Sequence, residues 1–191
     1  NDGLWHEYVG RNIAMHVIKG EFSKALMGAE PIYNFMPGWR YFKVPERIFF
    51  GDTNLGELTI LILFPFSLYL LLRAVFSLGW ANILFLFFLF LEAAYRLHNG
   101  FTYKAYIDIA VRGQAENLGY MFFIFSLALL LKYHNAPLKH YCTVGFWANL
   151  LMALAIFVRP NLILAAALFL GFNSWVLISS KRIKECIFIS F

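Results

Sequence analysis

Charged residues are scarce in this chain. Asp, Glu, Lys and Arg supply 14% of its 191 residues, whereas 61% are hydrophobic and 19% aromatic. Soluble domains carry about 25% charged residues, so this composition excludes an ordinary soluble domain. The long apolar runs do not alternate with the period of two that is typical of barrel strands, which leaves helices as the predicted structure. The sequence therefore predicts an all-α, polytopic transmembrane helical bundle.

The sequence also lacks the motifs of several enzyme classes. Its five histidines form no HExxH pattern, and it has no Walker-type or GxGxxG phosphate loop and no GxSxG elbow. Cys142 and Cys186 show no metal-ligand spacing and are interpreted as small buried hydrophobes. The net charge of +5 is interpreted as loop charge and contacts with membrane lipids or phosphate, not with nucleic acid. The chemistry must then use a substrate that arrives activated.

Two regions differ in hydropathy. Residues 1–56 contain no apolar window of about 20 residues and are predicted to be an external loop with amphipathic helices. Residues 57–191 are predicted to be a transmembrane region of about five spanning or paired short helices. The apolar runs lie at 55–78, 80–95, 118–133, 142–158 and 162–178. Because the last residues open another apolar run, we expect the chain to be a fragment. Lys and Arg in the short loops place residues 1–56 on the outer side.

The segment 31–56 is basic and aromatic. Arg40, Lys43 and Arg47 fall at helical spacing beside aromatic residues, which predicts a charged face that lies at a membrane surface and holds an anionic headgroup. Pro45 interrupts this pattern, so the helix is either kinked there or begins near Val44. The Asp52-Thr53-Asn54 sequence supplies N-cap candidates for the first spanning helix.

Several ionisable residues have more than one possible role. Asp2 is either the N-cap of an amphipathic helix or a general base. Glu116 follows Arg112 by four residues, so it is an ion-pair partner, a functional carboxylate at the mouth of a spanning helix, or a complement to the helix dipole. Arg159 either contacts a phosphate or extends to the membrane interface. Most other acids of the outer side are interpreted as solvated, with Glu7 as a helix-face charge.

Four segments, NDGLWHEY, EPIYNFMPGWRYF followed by FFGDTNLG, RGQAENLGY and VRPN, together resemble the GT-C superfamily of integral-membrane glycosyltransferases. The resemblance covers most of the chain and is closest to bacterial members related to protein mannosyltransferases and aminoarabinose transferases. It implies that Asp2 is the catalytic base and that Arg40, Tyr41 and Arg47 lie near a lipid-linked donor. The family commonly has an Asp-Glu pair where this chain has Asp2 followed by glycine, so a second carboxylate is not implied. We expect the family's first spanning helix to precede this sequence.

The implied reaction is transfer of a sugar from a polyprenyl-phosphate donor to a lipid, glycan or protein acceptor on the outer face of the membrane. Cations such as Arg40, Arg112 or Arg159 would stabilise the leaving phosphate. The resemblance implies a bacterial inner membrane protein with residues 1–56 in the periplasm. Some relatives use a divalent metal and others do not, and the sequence contains no ligand cluster. The alternatives are a transporter or flippase of lipid-linked intermediates, favoured by Glu92 within an apolar run, and a non-catalytic scaffold.

Overall fold

The computed structural model describes residues 2–27, 37–51, 53, 55–90, 103–112, 116–134 and 137–179. Within these ranges every regular element is a helix, which confirms the all-α prediction for this part of the chain. The elements are α1 (Asp2–Ile18), α2 (Phe22–Leu26), α3 (Pro37–Phe50), α4 (Leu55–Val75), α5 (Leu78–Phe90), α6 (Tyr103–Val111), α7 (Glu116–Lys132), α8 (Leu138–Val158), a 3₁₀ turn (Pro160–Leu162) and α9 (Ile163–Ser179).

Among the described residues, two segments are long and apolar enough to cross a membrane. They are α4 and the stretch Pro160–Ile178, which consists of the 3₁₀ turn and nearly all of α9. In the most apolar part of each, only 17% and 22% of the residues are buried inside the protein. Their apolar surface is therefore mostly exposed. Length and composition make these two helices candidate membrane spans.

The centre of the fold is a layer in which α7 packs between α4 and α8. Its main core joins residues from these three helices to Trp39 of α3. The buried members are Trp39, Ile60, Phe64, Leu118, Met121 and Val158. A second cluster connects α7, α8 and α9 through Leu130, Tyr141, Ala148 and Leu177. Because Trp39 belongs to the main core, α3 packs directly against α4, α7 and α8.

The helices α1, α2 and α3 form a second layer. Their shared core contains Val9, Ile13, Ala14, Ala25 and Val44. At the closest approach of α1 to α3, a Cβ atom added to Gly10 would lie 2.7 Å from the Cβ of Lys43. Only glycine fits there without movement of the neighbouring helix, so Gly10 sets the distance between the two helices.

Some details differ from the sequence-based expectations. The α3 helix begins at Pro37, not near Val44, and continues through Pro45, which is exposed. The α6 helix lies between the apolar runs 80–95 and 118–133, where the sequence predicted no helix. Asp52 and Asn54, two of the predicted N-cap residues of α4, lie outside the described residues, as does Glu92.

Candidate functional site

A buried ionic cluster joins α1, α3 and α4. Its centre is Lys43, whose side chain is 2% exposed. The Nζ atom of Lys43 lies 2.9 Å from Glu46 Oε2 and 3.5 Å from Glu7 Oε2, and it forms a third ion pair with Glu57. Arg47 pairs with Glu7 at the edge of the cluster. Because charges removed from water must be paired, these contacts hold the three helices in one arrangement. We call these five residues the Lys43 cluster.

Glu46 also caps the first turn of α4. Its Oε1 atom accepts hydrogen bonds from the backbone N–H groups of Gly56, at 3.0 Å, and Glu57, at 3.3 Å. The first N–H groups of a helix have no partner within the helix, and they carry partial positive charge. A buried carboxylate from α3 satisfies two of them. The N-terminus of α4 is thus fixed by a side chain of another helix.

The Lys43 cluster corrects the interpretation of the charged segment. Lys43 was expected to face an anionic headgroup, yet it faces carboxylates inside the protein. The side chain of Glu46 is buried and those of Glu57 and Glu7 are partly buried, so these three acids pair with Lys43 and are not among the solvated ones. The helical spacing of Arg40, Lys43 and Arg47 did place them on one face, but that face packs against α1 and α4.

Arg40 has a different environment from Lys43. It is 3% exposed, and its guanidinium carbon lies 4.3 Å from the centroid of the Trp5 ring. A guanidinium over an indole face makes a favourable cation–π contact. Trp5 lies one turn after Asp2, the first residue of α1, and the side chain of Asp2 lies outside the described residues. The contact therefore brings Arg40 to the end of α1 at which Asp2 stands.

Tyr41 connects three helices. Its hydroxyl donates a hydrogen bond to the carbonyl of Leu26 in α2. Its ring stacks on Phe157 of α8, with centroids 6.0 Å apart and planes 10° from parallel. Tyr41 is half-buried, and its ring packs between the layer of α1, α2 and α3 and the α8 helix.

Glu116 and Arg159 form a second ion pair. Arg159 Nη1 lies 2.8 Å from Glu116 Oε1, and both side chains are largely buried. The stem of Arg159 crosses Gly119, where an added Cβ would lie 2.7 Å from Arg159 Cγ. Arg112, the partner suggested by spacing, is exposed just after the end of α6. Since α6 ends before α7 begins, these two residues do not share a helix, and Glu116 pairs with Arg159 instead.

The start of α3 packs against both the end of α8 and the beginning of α1. Gly38 packs directly against Phe157 and Val158, which precede Arg159. Arg40, two residues later in α3, reaches Trp5 of α1. The first turns of α3 therefore contact the end of α8 on one side, at Gly38, and the beginning of α1 on the other, at Arg40. Arg47 belongs to the Lys43 cluster, and Arg112 stands apart on the surface.

Among the described residues, no group of three or more His, Cys, Asp or Glu side chains is arranged to hold a metal ion. The three carboxylates around Lys43 already share its ammonium group.

Comparison with protein-family models, characterised proteins and solved structures gives no match to this chain.

Proposed function

We propose that the protein is a polytopic membrane glycosyltransferase that moves a sugar from a polyprenyl-phosphate donor to a lipid, glycan or protein acceptor on the outer face of the membrane. The motif resemblance to the GT-C superfamily motivates the proposal. The structural observation that supports it best is the burial of Arg40 against Trp5, at the Asp2 end of α1. Transfer from a sugar phosphate is accelerated by a general base and by cations that stabilise the leaving phosphate.

The membrane part of the proposal is supported by exposed apolar helix surface. Both α4 and Pro160–Ile178 leave most of their apolar residues uncovered, and soluble monomers rarely expose continuous apolar patches of that kind. The shorter apolar helices, α5 and the stretch Thr143–Val158, would complete the bundle. By the distribution of Lys and Arg in the loops, residues 1–56 face the periplasm of a bacterial inner membrane.

In the proposed reaction, Asp2 accepts the proton of the acceptor nucleophile as that nucleophile attacks the anomeric carbon of the donor sugar. The bond between this carbon and the phosphate oxygen breaks, and the lipid phosphate leaves with the electron pair. Arg40 and Arg159 stabilise the negative charge that develops on the phosphate. Both are shielded from water, where such stabilisation is stronger than at an exposed site. Glu116 orients Arg159.

The remaining predicted site residues have lesser roles in this proposal. Tyr41 packs between α2 and α8. Arg47 holds α3 to α1 through its ion pair with Glu7. Arg112 is exposed, so we assign it to attraction of the anionic donor and not to the reacting centre. A divalent metal remains an alternative means of charge stabilisation.

The test is transfer activity in membranes that contain the protein, assayed with a panel of radiolabelled polyprenyl-phosphate hexoses and pentoses. Asp2→Asn should reduce transfer by about 10²-fold or more, the size of a general-base contribution. Glu21→Gln, which alters an exposed carboxylate of the same layer, should retain activity. Equal activity of Asp2→Asn and the unchanged protein would remove Asp2 from the mechanism.

A second variant tests the donor site. Arg40→Lys keeps the positive charge but loses the planar fork that binds phosphate through two hydrogen bonds. It should raise the KM for the lipid-linked donor more than it lowers kcat. An unchanged KM would exclude Arg40 from the donor site. Movement of the donor across vesicles with no new glycosidic bond would support the transporter in place of the enzyme.

A further inference from the structure

The α3 helix exposes apolar residues at its C-terminal end. Ile48, Phe49 and Phe50 are all exposed, and Phe49 retains 77% of its accessible surface. Charged residues of the same helix, Lys43 and Glu46 among them, are buried. This is the reverse of an amphipathic helix that packs on a soluble protein, where the charged face meets water. The exposed end of α3 therefore suits an apolar environment.

The corner between α3 and α4 is closed by hydrogen bonds. Gly51 adopts a positive φ of 65°, the left-handed conformation that commonly ends a helix. Arg47 Nη1 donates to the carbonyl of Gly51 at 3.0 Å, and the hydroxyl of Thr53 donates to the carbonyl of Phe50 at 2.8 Å. These contacts stabilise the end of α3 and the residues that follow it.

The Lys43 cluster ties α3 to α4 a second time. Lys43 pairs with Glu57, and Glu46 caps the backbone of Gly56 and Glu57. Glu46 lies one turn before Phe49 and Phe50 on α3. The exposed aromatic residues therefore lie beside the first turn of a candidate membrane span.

The exposed surface of α4 is also apolar. Leu55, Leu58, Ile62 and Phe66 are all exposed along α4. If α4 crosses the membrane, its first turn lies at the interface, and the end of α3 lies at the same depth. Apolar and aromatic residues of interfacial helices enter about 5–10 Å into the boundary between headgroups and acyl chains.

We propose that Ile48, Phe49 and Phe50 insert into the bilayer at the point where α4 enters it, so that α3 contacts the membrane through its aromatic end and not through its basic face. Lipid is the occupant we assign, because the patch belongs to the helix that Glu46 and Lys43 tie to the first turn of α4, and α4 itself exposes apolar residues along its length. The proposal rests on α4 crossing a membrane and is independent of glycosyl transfer. It also predicts that the depth of α3 is fixed by the Lys43 cluster.

The experiment measures the surroundings of a spin label at position 49. Phe49→Cys, in a protein whose native cysteines are replaced by alanine, is labelled and reconstituted into vesicles of phosphatidylethanolamine and phosphatidylglycerol. Collision with oxygen, which concentrates in lipid, is compared with collision with a water-soluble nickel chelate. Ile62→Cys on α4 is the control for a label in lipid. Lys19→Cys is the control for a label in water, because Lys19 is exposed directly after the end of α1.

We expect the label at position 49 to resemble Ile62→Cys, with oxygen collisions exceeding nickel collisions several-fold. A nickel accessibility equal to that of Lys19→Cys would place the patch in water and overturn the proposal. Low accessibility to both reagents would mean that protein covers the patch, either a second copy or another segment of this chain, and would overturn it as well. A nickel-accessible label at position 62 would remove the premise that α4 lies in lipid.

Phe50→Cys provides a second label if Phe49→Cys does not fold. Failure of this proposal and failure of the proposed enzyme are distinguishable, because the first is measured by label accessibility and the second by sugar transfer after Asp2→Asn.

Discussion

Replacement of Lys43 by methionine should destabilise the protein strongly. The ammonium group of Lys43 is shared by Glu7, Glu46 and Glu57, and the side chain is 2% exposed. Methionine keeps most of the apolar stem, so the change chiefly removes the charge. Removal of one partner from a buried ion pair costs about 3–5 kcal/mol, because the other partner stays buried without compensation. The whole free energy of unfolding of a domain is about 5–15 kcal/mol.

Arg11→Met is the matched control for this experiment. Arg11 also pairs with Glu7, at 3.6 Å, but its side chain is 52% exposed. An exposed pair contributes about 0–1 kcal/mol. Equilibrium unfolding in mixed detergent micelles, followed by circular dichroism, measures both variants. We expect the loss of unfolding free energy for Lys43→Met to exceed that for Arg11→Met by about 2 kcal/mol or more.

The double variant Lys43→Met with Glu57→Gln refines the test. It removes one of the carboxylates that Lys43→Met leaves uncompensated, so the double variant should recover part of the lost stability, and the difference gives the coupling between the two residues. If Lys43→Met costs no more than Arg11→Met, the Lys43 cluster does not hold α1, α3 and α4 together. That result would also remove the argument that the depth of α3 is fixed.

Two further predictions concern the layer formed by α1, α2 and α3. Gly10→Ala should lower the free energy of unfolding by about 1–3 kcal/mol, because the added Cβ would overlap Lys43. Gly171→Ala in α9 is the control, since the added Cβ meets no neighbouring side chain or helix within 4 Å, and it should not destabilise the protein. Thermal unfolding of both variants measures the difference. The hydrogen bond with His16 holds the pKa of Glu21 below its usual value of 4.5, so the stabilisation is present above that value and is lost as the pH falls through the lowered pKa. A carboxyl NMR titration should show the pKa of Glu21 rise in His16→Ala, and no rise would contradict the assigned cause.

Much of the helical fold could be predicted from the sequence because long apolar runs in a charge-poor chain have few alternatives to helix. The runs at 55–78, 118–133, 142–158 and 162–178 correspond closely to α4, α7, α8 and α9. The α6 helix was missed because its nine residues mix polar and apolar side chains without a long run. Such a short helix depends on tertiary packing more than on local sequence.

The pairing of charges could not be predicted from local spacing. Spacing suggested Arg112 as the partner of Glu116, but the break between α6 and α7 separates them, and Arg159 reaches Glu116 from the end of α8. Likewise, the cap of α4 comes from Glu46 in the preceding helix. Both contacts depend on how helices pack. The only local signal for the Lys43 cluster was the presence of Lys43 and Glu46 three residues apart in a chain with few charges.

For the same reason, the sequence did not predict which way the basic face of α3 points. Helical spacing determines which residues share a face, but it does not determine whether that face meets water, lipid or protein. The carboxylates of Glu7 and Glu57, on neighbouring helices, supply the interaction that turns Lys43 inward. With Lys43 paired in this way, the large residues that α3 leaves exposed are the apolar ones of its C-terminal end, Phe49 among them. The basic residues of α3 thus divide into two groups: Lys43 and Arg47 hold the helices together, while Arg40, against Trp5 at the Asp2 end of α1, is the cation whose role transfer assays can separate from stability.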